Sequence, residues 1–576
     1  MYKFLIIGLL VSLFSLRLQA QKAYFLKINA SLLPKITYQN RFTDSLQALS
    51  EVKKIIFSLH KQGFLLASAD TFFFKKDTLF ADLYIGKTFS WARLKAGNVP
   101  ENILSSIGFR EKLYRSEIFS YRTVEKMESK ILQYAENHGF PFAAVHIDSV
   151  TIENENISGT LHYESGYFFV FDTLALQGSA KVKTKFLAAY LRLQAGKVFS
   201  QEKVQASTNA LKRLPYLAVK QQVGVIFRND KAIPQLSIDA RKANQFDGII
   251  GFLPNETQNN NRLLITGELN LQLHNLFGTG KFFKLNWQQI KPLSPILGIV
   301  YQHPALFRTQ LSLEAGLNLL KQDTNFININ RFVTLSQAFS GNAKVGFSVN
   351  LQNTNTLASN TLYANLQTLP AVLSTRLLSY GLQFSVNTTD DVFYPKKGWV
   401  AHVSAQAGNK NIIRNAALKP ELYVNLPESS LQVQTKAAAI KYIRAGKRGI
   451  LVLKSEAGKI WNNYLFENEL FRLGGLNSIR GFNENTFFAS SFAMFTTEYR
   501  FFAEGETYFF LFSDGAFLTY KVRQTSFQDT PLGIGAGLSF TTKTGIFNLV
   551  YAVGRSGQQV FSLNFSKIHF GFVSRF

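Results

Sequence analysis

Cysteine is absent from the chain, and that single absence excludes a lipid-attachment cysteine, a disulfide framework and thiolate metal sites. Charge is sparse as well: 17% of the 576 residues are charged, with 37 acidic residues against 63 Lys and Arg, while 54 Phe and 22 Tyr make the chain strongly aromatic. So little charge on so aromatic a chain does not fit a soluble nucleic-acid binder, and no nucleic-acid partner is expected. Long apolar runs are missing except at the start. There, MYKFLIIGLLVSLFSLRLQA combines Lys3, an apolar run from Phe4 to Leu16 and a small residue at Ala20, the pattern of a cleaved signal peptide over residues 1–20. The run is short of the ~20 residues that a spanning helix needs. Catalytic motifs are lacking too. Gly86-Lys87-Thr88 has Ala81 where a phosphate loop needs its first glycine, and the eight His fall in no HExxH or paired-ligand spacing. Neither an enzyme nor a cofactor or metal site is expected. An exported chain without cysteine must hold itself together by core packing or by a closed sheet.

What is present is repetition. In SEVKKIIFSLHKQGF, Val52, Ile56 and Leu59 recur at helical spacing before Gly63, a natural left-handed stop. In TVEKMESKILQYAENHGF the stripe is Val124, Met127, Ile131 and Tyr134, and Gly139 ends it. Each stop precedes two strand-like runs, the second closing on Gly86 in one copy and Gly166 in the other. A small module repeated along the chain is therefore expected. A third copy reads strand (VFDTLALQG), helix from about Lys181 to Leu193, helix (Val204, Leu211, Leu214), strand (QQVGVIF), strand (PQLSIDA). That order resembles the POTRA domain. The first copy lacks a clear opening strand.

Past Arg241 the period changes to two. Glu268, Asn270, Gln272 and His274 fall on one face of GELNLQLHNLFGTG and Leu269, Leu271 and Leu273 on the other; WVAHVSAQAG and LQVQTKA repeat the alternation. Half-exposed strands of this kind suit a soluble sandwich or a barrel facing lipid. The signal peptide, the lack of cysteine and a final segment alternating Phe570, Phe572 and Phe576 favour the barrel. At roughly 20 residues per strand with its turn, residues 242–576 accommodate about sixteen strands.

One loop stands out. FRLGGLNSIRGF (Phe471 to Phe482) sets paired glycines, an Asn-Ser turn and an Arg-Gly pair among alternating strands. Ile479-Arg480-Gly481-Phe482 resembles the [VI]RG[FY] loop of the BamA/TamA superfamily of outer-membrane insertases and translocators. TTEYRF with Glu498 and FSDGAF with Asp514 resemble that family's acidic strand motifs. TTDDVFYPKKGW (Thr388 to Trp399) and HNLFGTG (His274 to Gly280) resemble two of its turns.

The resemblance implies α+β periplasmic POTRA repeats followed by an all-β transmembrane barrel of about 16 antiparallel strands. On that reading residues 21–88 form a first, degenerate POTRA-like copy, 89–166 a second, 167–241 a third, and 242–576 the barrel. It further implies a lumen latch of Arg480, Gly481, Phe482, Glu498 and Asp514, in which the guanidinium meets carboxylates inside the barrel. It also implies a weakly paired seam between the first strand, FDGIIGF with Gly248 and Gly251, and the last, with Phe570, Phe572 and Phe576 as the C-terminal signal. Expected partners are unfolded outer-membrane protein clients, periplasmic chaperones or accessory assembly proteins, and outer-membrane lipid with lipopolysaccharide, whose phosphates suit the basic balance. Three roles stay open: a general insertase, a TamA-like paralogue with few clients or a role in lipid transport, and a secretion translocator or channel. Three POTRA copies fit the second better than the five common in BamA. A translocator usually carries two copies and an N-terminal plug helix, of which Ala23 to Thr43 gives no sign.

Overall fold

The computed structural model describes residues 23–30, 36–253, 264–289, 291, 293–340, 342–357, 363, 366–542 and 545–576; the expected signal peptide lies outside them. Among the described residues before Arg241 one strand pattern occurs three times. An opening strand pairs parallel to the module's final strand, and that strand pairs antiparallel to the one before it. Tyr24–Asn29 lies parallel to Thr78–Tyr84, which takes Ser68–Lys75 on its other edge. Ser90–Lys95 lies parallel to Asn156–Glu164, which takes Ala144–Glu153. Ala175–Gln177 lies parallel to Lys231–Ala240, which takes Gly224–Arg228.

The first copy therefore does have an opening strand. Its period two (Tyr24, Leu26, Ile28 against Phe25, Lys27, Asn29) is only six residues long and follows the apolar leader closely, which masked it in the sequence. The helix of this copy spans Ser45–Lys61, capped by the Asp44 carboxylate accepting from the Leu46 amide at 3.1 Å. It buries Ala48, Val52, Ile55 and Leu59, so Ile55 rather than Ile56 centres the stripe, with Ile56 packed at its margin. In the second copy, Tyr121–Asn137 buries Met127, Ile131 and Ala135, with Val124 and Tyr134 alongside.

Residues up to Val170, with Val198–Gln201, form one compact unit; Phe171–Lys197 and Glu202–Phe576 form another. In the second unit, a closed barrel of 16 antiparallel strands runs from Gln245–Leu253 to Lys567–Arg575. Thr525–Asp529 and Leu532–Thr541 both pair with Thr507–Val522 and are two halves of one strand, the fourteenth, broken at Pro531. Leu378, Tyr380, Leu382 and Phe384 are exposed on the outside, as are Phe495, Tyr499 and Phe501. His402, Ser404, Gln406 and Gln434 line the inside. An apolar belt of this extent outside a polar lumen belongs in lipid and excludes the soluble sandwich.

The barrel rim nearest Arg241, called the lower rim, carries the third module. The Lys183 amide donates to the Gly278 carbonyl at 2.8 Å, Asn275 Nδ2 to the Lys181 carbonyl at 3.0 Å, and Arg192 Nη2 to the Ala338 carbonyl at 2.7 Å. Gly280, at φ +70°, lies so close beneath the Phe186 ring that a Cβ would come within 2.1 Å of it. The HNLFGTG turn is thus a docking surface for the third module.

Closure of the barrel is uneven. The first strand pairs with the second (Leu264–Leu276) over nine residue pairs, and the last strand with the fifteenth (Ile546–Arg555) over seven. First and last pair over two, Gln245 with Arg575 and Phe246 with Ser574. The Phe576 amide adds a bond to the Asn244 carbonyl at 3.1 Å.

Candidate functional site

The loop between Gly449–Trp461 and Ser491–Glu504 turns back into the barrel, and its glycines explain how. Gly474, Gly475 and Gly481 have φ of +109°, +96° and +92°, a region that L side chains avoid. The Gly474 amide donates to Ser478 Oγ at 2.7 Å and the Leu476 amide to Glu484 Oε1 at 2.8 Å, which folds the loop tip on itself. Burial pushes the Glu484 carboxyl above the usual range, with the Leu476 amide pulling the other way. Ile479 and Phe482 sink into an apolar cluster with Phe471, Leu473, Phe492, Met494 and Leu518. The Asn-Ser turn therefore points Arg480 into the wall.

Glu498 lies on the twelfth strand (Ser491–Glu504), where its cross-strand partner is Phe512. Asp514 lies two residues further along the thirteenth (Thr507–Val522), hence on the same inward face. Arg480 Nε and Nη2 donate to the two Asp514 oxygens at 2.7 and 2.8 Å, Nη1 donates to Glu498 Oε2 at 2.7 Å, and the Arg480 amide donates to Asp514 Oδ2 at 3.1 Å. The guanidinium rests 3.5 Å from the centre of the Phe512 ring. Arg500 Nε fills the other Glu498 oxygen at 2.7 Å. All three central groups are buried: Arg480 is 8% exposed, Glu498 7% and Asp514 2%. Two arginines and two carboxylates balance in charge, and the forked geometry meets carboxylate oxygens in pairs.

The loop also presses on the next two strands. A Cβ on Gly533 would come within 1.9 Å of the Arg480 carbonyl oxygen, and one on Gly554 within 2.7 Å of the Phe482 ring. Four consecutive strands, the twelfth to the fifteenth, are thus fitted to one loop. Gly533→Ala is expected to lower stability by about 1–3 kcal/mol through overpacking, with Arg480 displaced. Earlier loss of the folded, heat-resistant electrophoretic form on heating would show it; a mobility curve like the wild type would contradict it.

Of the residues singled out in the sequence, Arg480, Gly481, Phe482, Glu498 and Asp514 come together. Gly248 and Gly251 lie on the first strand opposite Leu269 and Thr266, and Phe570 and Phe572 on the last opposite Leu549 and Phe547; Phe576 follows the last strand and is half exposed. Sequence reasoning missed Phe512 and Arg500. Both stand two residues from an identified acid, and period two alone places them on its face. It also missed the fully buried pair at the upper rim, where Lys410 Nζ meets Glu469 Oε2 at 2.9 Å beneath Phe466. Below that pair is a lumen chamber of about 720 Å³, lined by amides such as Asn318, Asn330, Asn350, Gln352, Gln406 and Gln434 and walled on one side by Phe471 and Arg472.

Residues 275–576 match the Omp85 superfamily domain. Among solved structures, CdiB from Acinetobacter baumannii is 13% identical with a TM-score of 0.54, covering 92% of this chain and 98% of its own. CdiB from Escherichia coli is 12% identical with a TM-score of 0.54, covering 92% and 97%. BamA from Haemophilus ducreyi lacking POTRA domains 1–3 is 12% identical with a TM-score of 0.41, covering 84% and 100%. No curated protein matches the chain in sequence.

Proposed function

The chain belongs to the Omp85 superfamily, and on that footing we propose that it receives client polypeptides on the edges of its POTRA-like sheets and inserts them through the seam between its first and last strands. Its place is the outer membrane, with the α/β modules in the periplasm, and its role there is insertion or translocation. The observation that carries the finer reading is the two-pair closure of the seam. Each net backbone hydrogen bond contributes about 0.5–1.5 kcal/mol, so parting this junction costs a few kcal/mol where parting its neighbours costs several times more. The edges left without a ladder, 247–253 and 567–573, offer a client strand backbone donors and acceptors that lipid cannot satisfy.

Reception is supported by the first module. Ser68–Lys75 is the outermost strand of its sheet, and Phe72, Phe73 and Phe74 on it are exposed. An edge of this kind adds a strand by backbone bonding while apolar side chains supply affinity. The latch holds strands twelve to fifteen as one plate, so that movement concentrates at the sixteenth. Clients, periplasmic chaperones or accessory proteins, and lipid with lipopolysaccharide remain the partners of this reading.

A second reading, passage of a polypeptide through the lumen, draws on the likeness to CdiB and on the amide-lined chamber. Depletion of the protein followed by outer-membrane proteomics separates the possibilities. General loss of barrel proteins supports an insertase, and loss of a few supports a specialised paralogue. An unchanged outer membrane with loss of one secreted product supports translocation and overturns insertion.

A further inference from the structure

The turn 388–397 joins the eighth strand (Thr375–Asn387) to the ninth (Gly398–Ile412), halfway round the barrel from the seam. Its side chains nevertheless reach the seam. Asp390 lies 3.8 Å from Arg444 at the end of the tenth strand (Ser429–Ala445), and Lys396 lies over the Phe502 ring on the twelfth. Tyr394 Oη meets Thr541 Oγ1 on the fourteenth at 3.4 Å. The Arg575 guanidinium, on the sixteenth, sits 4.0 Å from the Phe393 ring centre and 5.3 Å from that of Tyr394. Arg575 is one of the four residues that close the barrel.

The other side of Phe393 is also held. Arg241, where the third module passes into the barrel, lies 4.9 Å from the Phe393 ring centre and donates to both Asp391 oxygens at 3.1 and 3.5 Å. The Arg241 amide donates to the Tyr216 carbonyl of the module at 3.0 Å. The turn is internally stiff. Asp391 Oδ1 accepts from the Phe393 and Tyr394 amides at 2.7 and 2.9 Å, and Asp390 Oδ1 accepts from those of Lys396 and Lys397 at 2.8 and 3.1 Å. Burial opposes ionisation of Asp391, but those amides and Arg241 outweigh it and hold its carboxyl below the usual range. Arg575 Nε is buried with no hydrogen-bond partner among the described residues, and the Phe393 and Tyr394 rings lie against its guanidinium.

We propose that the turn 388–397 is a strap across the lower rim that clasps the seam, with Phe393 the positioning residue that couples the third module, through Arg241 and Asp391, to Arg575 on the last strand. At rest the strap keeps the two-pair junction shut; displacement of Arg241 by a client loading the modules withdraws the ring from Arg575 and frees the strand. The clasp rests on the reading that the seam opens, and its test is built to fail separately from that reading.

The full-length protein has no native cysteine, so nitroxides can be placed uniquely at Leu269→Cys on the second strand and Leu549→Cys on the fifteenth, flanking the seam without replacing it. Pulsed-dipolar distances are measured in lipid nanodiscs without client. Cation–π contacts of this kind are worth roughly a two- to thirtyfold population shift. Phe393→Leu, which keeps volume but removes the π face, is expected to raise the long-distance population by that factor, and Phe393→Tyr to keep the wild-type distribution. Asp391→Asn, which loosens the strap from Arg241, serves as the second variant where Phe393→Leu folds poorly, and is expected to shift the distances in the same direction. Distances unchanged in the folded variants overturn the clasp. If the distances shift while insertion of an unfolded small barrel protein proceeds at the wild-type rate, the clasp stands and insertion through the seam is what fails.

Discussion

Exchanging Arg480 for alanine is expected to destabilise the barrel by about 3–5 kcal/mol and to abolish client insertion even where the barrel still folds. The size follows from what is left behind. Asp514 loses two of its three hydrogen bonds from Arg480 at a site 2% exposed, and Glu498 keeps only Arg500. One of the three, from the Arg480 amide, depends on loop position and not on the side chain, so it goes only if the loop moves. Arg480→Lys tells charge from geometry. Lysine restores the charge but offers no fork for Asp514 and no planar face for Phe512, so it is expected to recover part of the stability and little of the insertion.

A double-mutant cycle apportions the loss. Coupling of Arg480 to Asp514 is expected to exceed its coupling to Glu498, since the first pair is bidentate and the second shares its acid with Arg500. The measurements are the temperature at which the heat-resistant electrophoretic form is lost and protease access to the loop around Leu476. Arg480→Ala protein with wild-type melting and a protected loop would remove the latch from the account.

The cluster of Arg480, Glu498 and Asp514 was legible because its chemistry is local in the sequence. A glycine-framed arginine and two acids on strands of period two can be read as one inward-facing set. Phe512 and Arg500 follow from the same period once Glu498 and Asp514 are assigned. The barrel was legible for a similar reason: alternation such as Val403 and Ala405 against Ser404 and Gln406 fixes which face meets lipid. Other features depend on register and loop path, which no short window encodes. Asp391 and Phe393 lie in a turn whose neighbours in space are about 150 residues away, as with Arg241 and Asp391, and nothing in TTDDVFYPKKGW announces Arg575. Lys410 and Glu469 likewise sit on separate elements 59 residues apart. The weak seam was expected from Gly248 and Gly251, yet a Cβ on Gly248 would meet only ordinary contacts. The first and last strands meet only at Gln245–Arg575 and Phe246–Ser574, and that register is not written in the glycines.

Tying the first and last strands together should have the largest functional effect of any change. Phe246 and Ser574 are direct cross-strand partners, and the absence of native cysteine leaves Phe246→Cys with Ser574→Cys as the sole thiols. The disulfide adds a covalent tie where backbone bonds contribute about 0.5–1.5 kcal/mol each, leaving the latch, the strap and the periplasmic modules intact. The decisive measurement is insertion of an unfolded small barrel protein into proteoliposomes holding the double-cysteine variant, oxidised and then reduced in the same sample. Insertion at the level of protein-free vesicles when oxidised, with recovery on reduction, is the expected result. Insertion at the wild-type rate through a fully oxidised seam would contradict it.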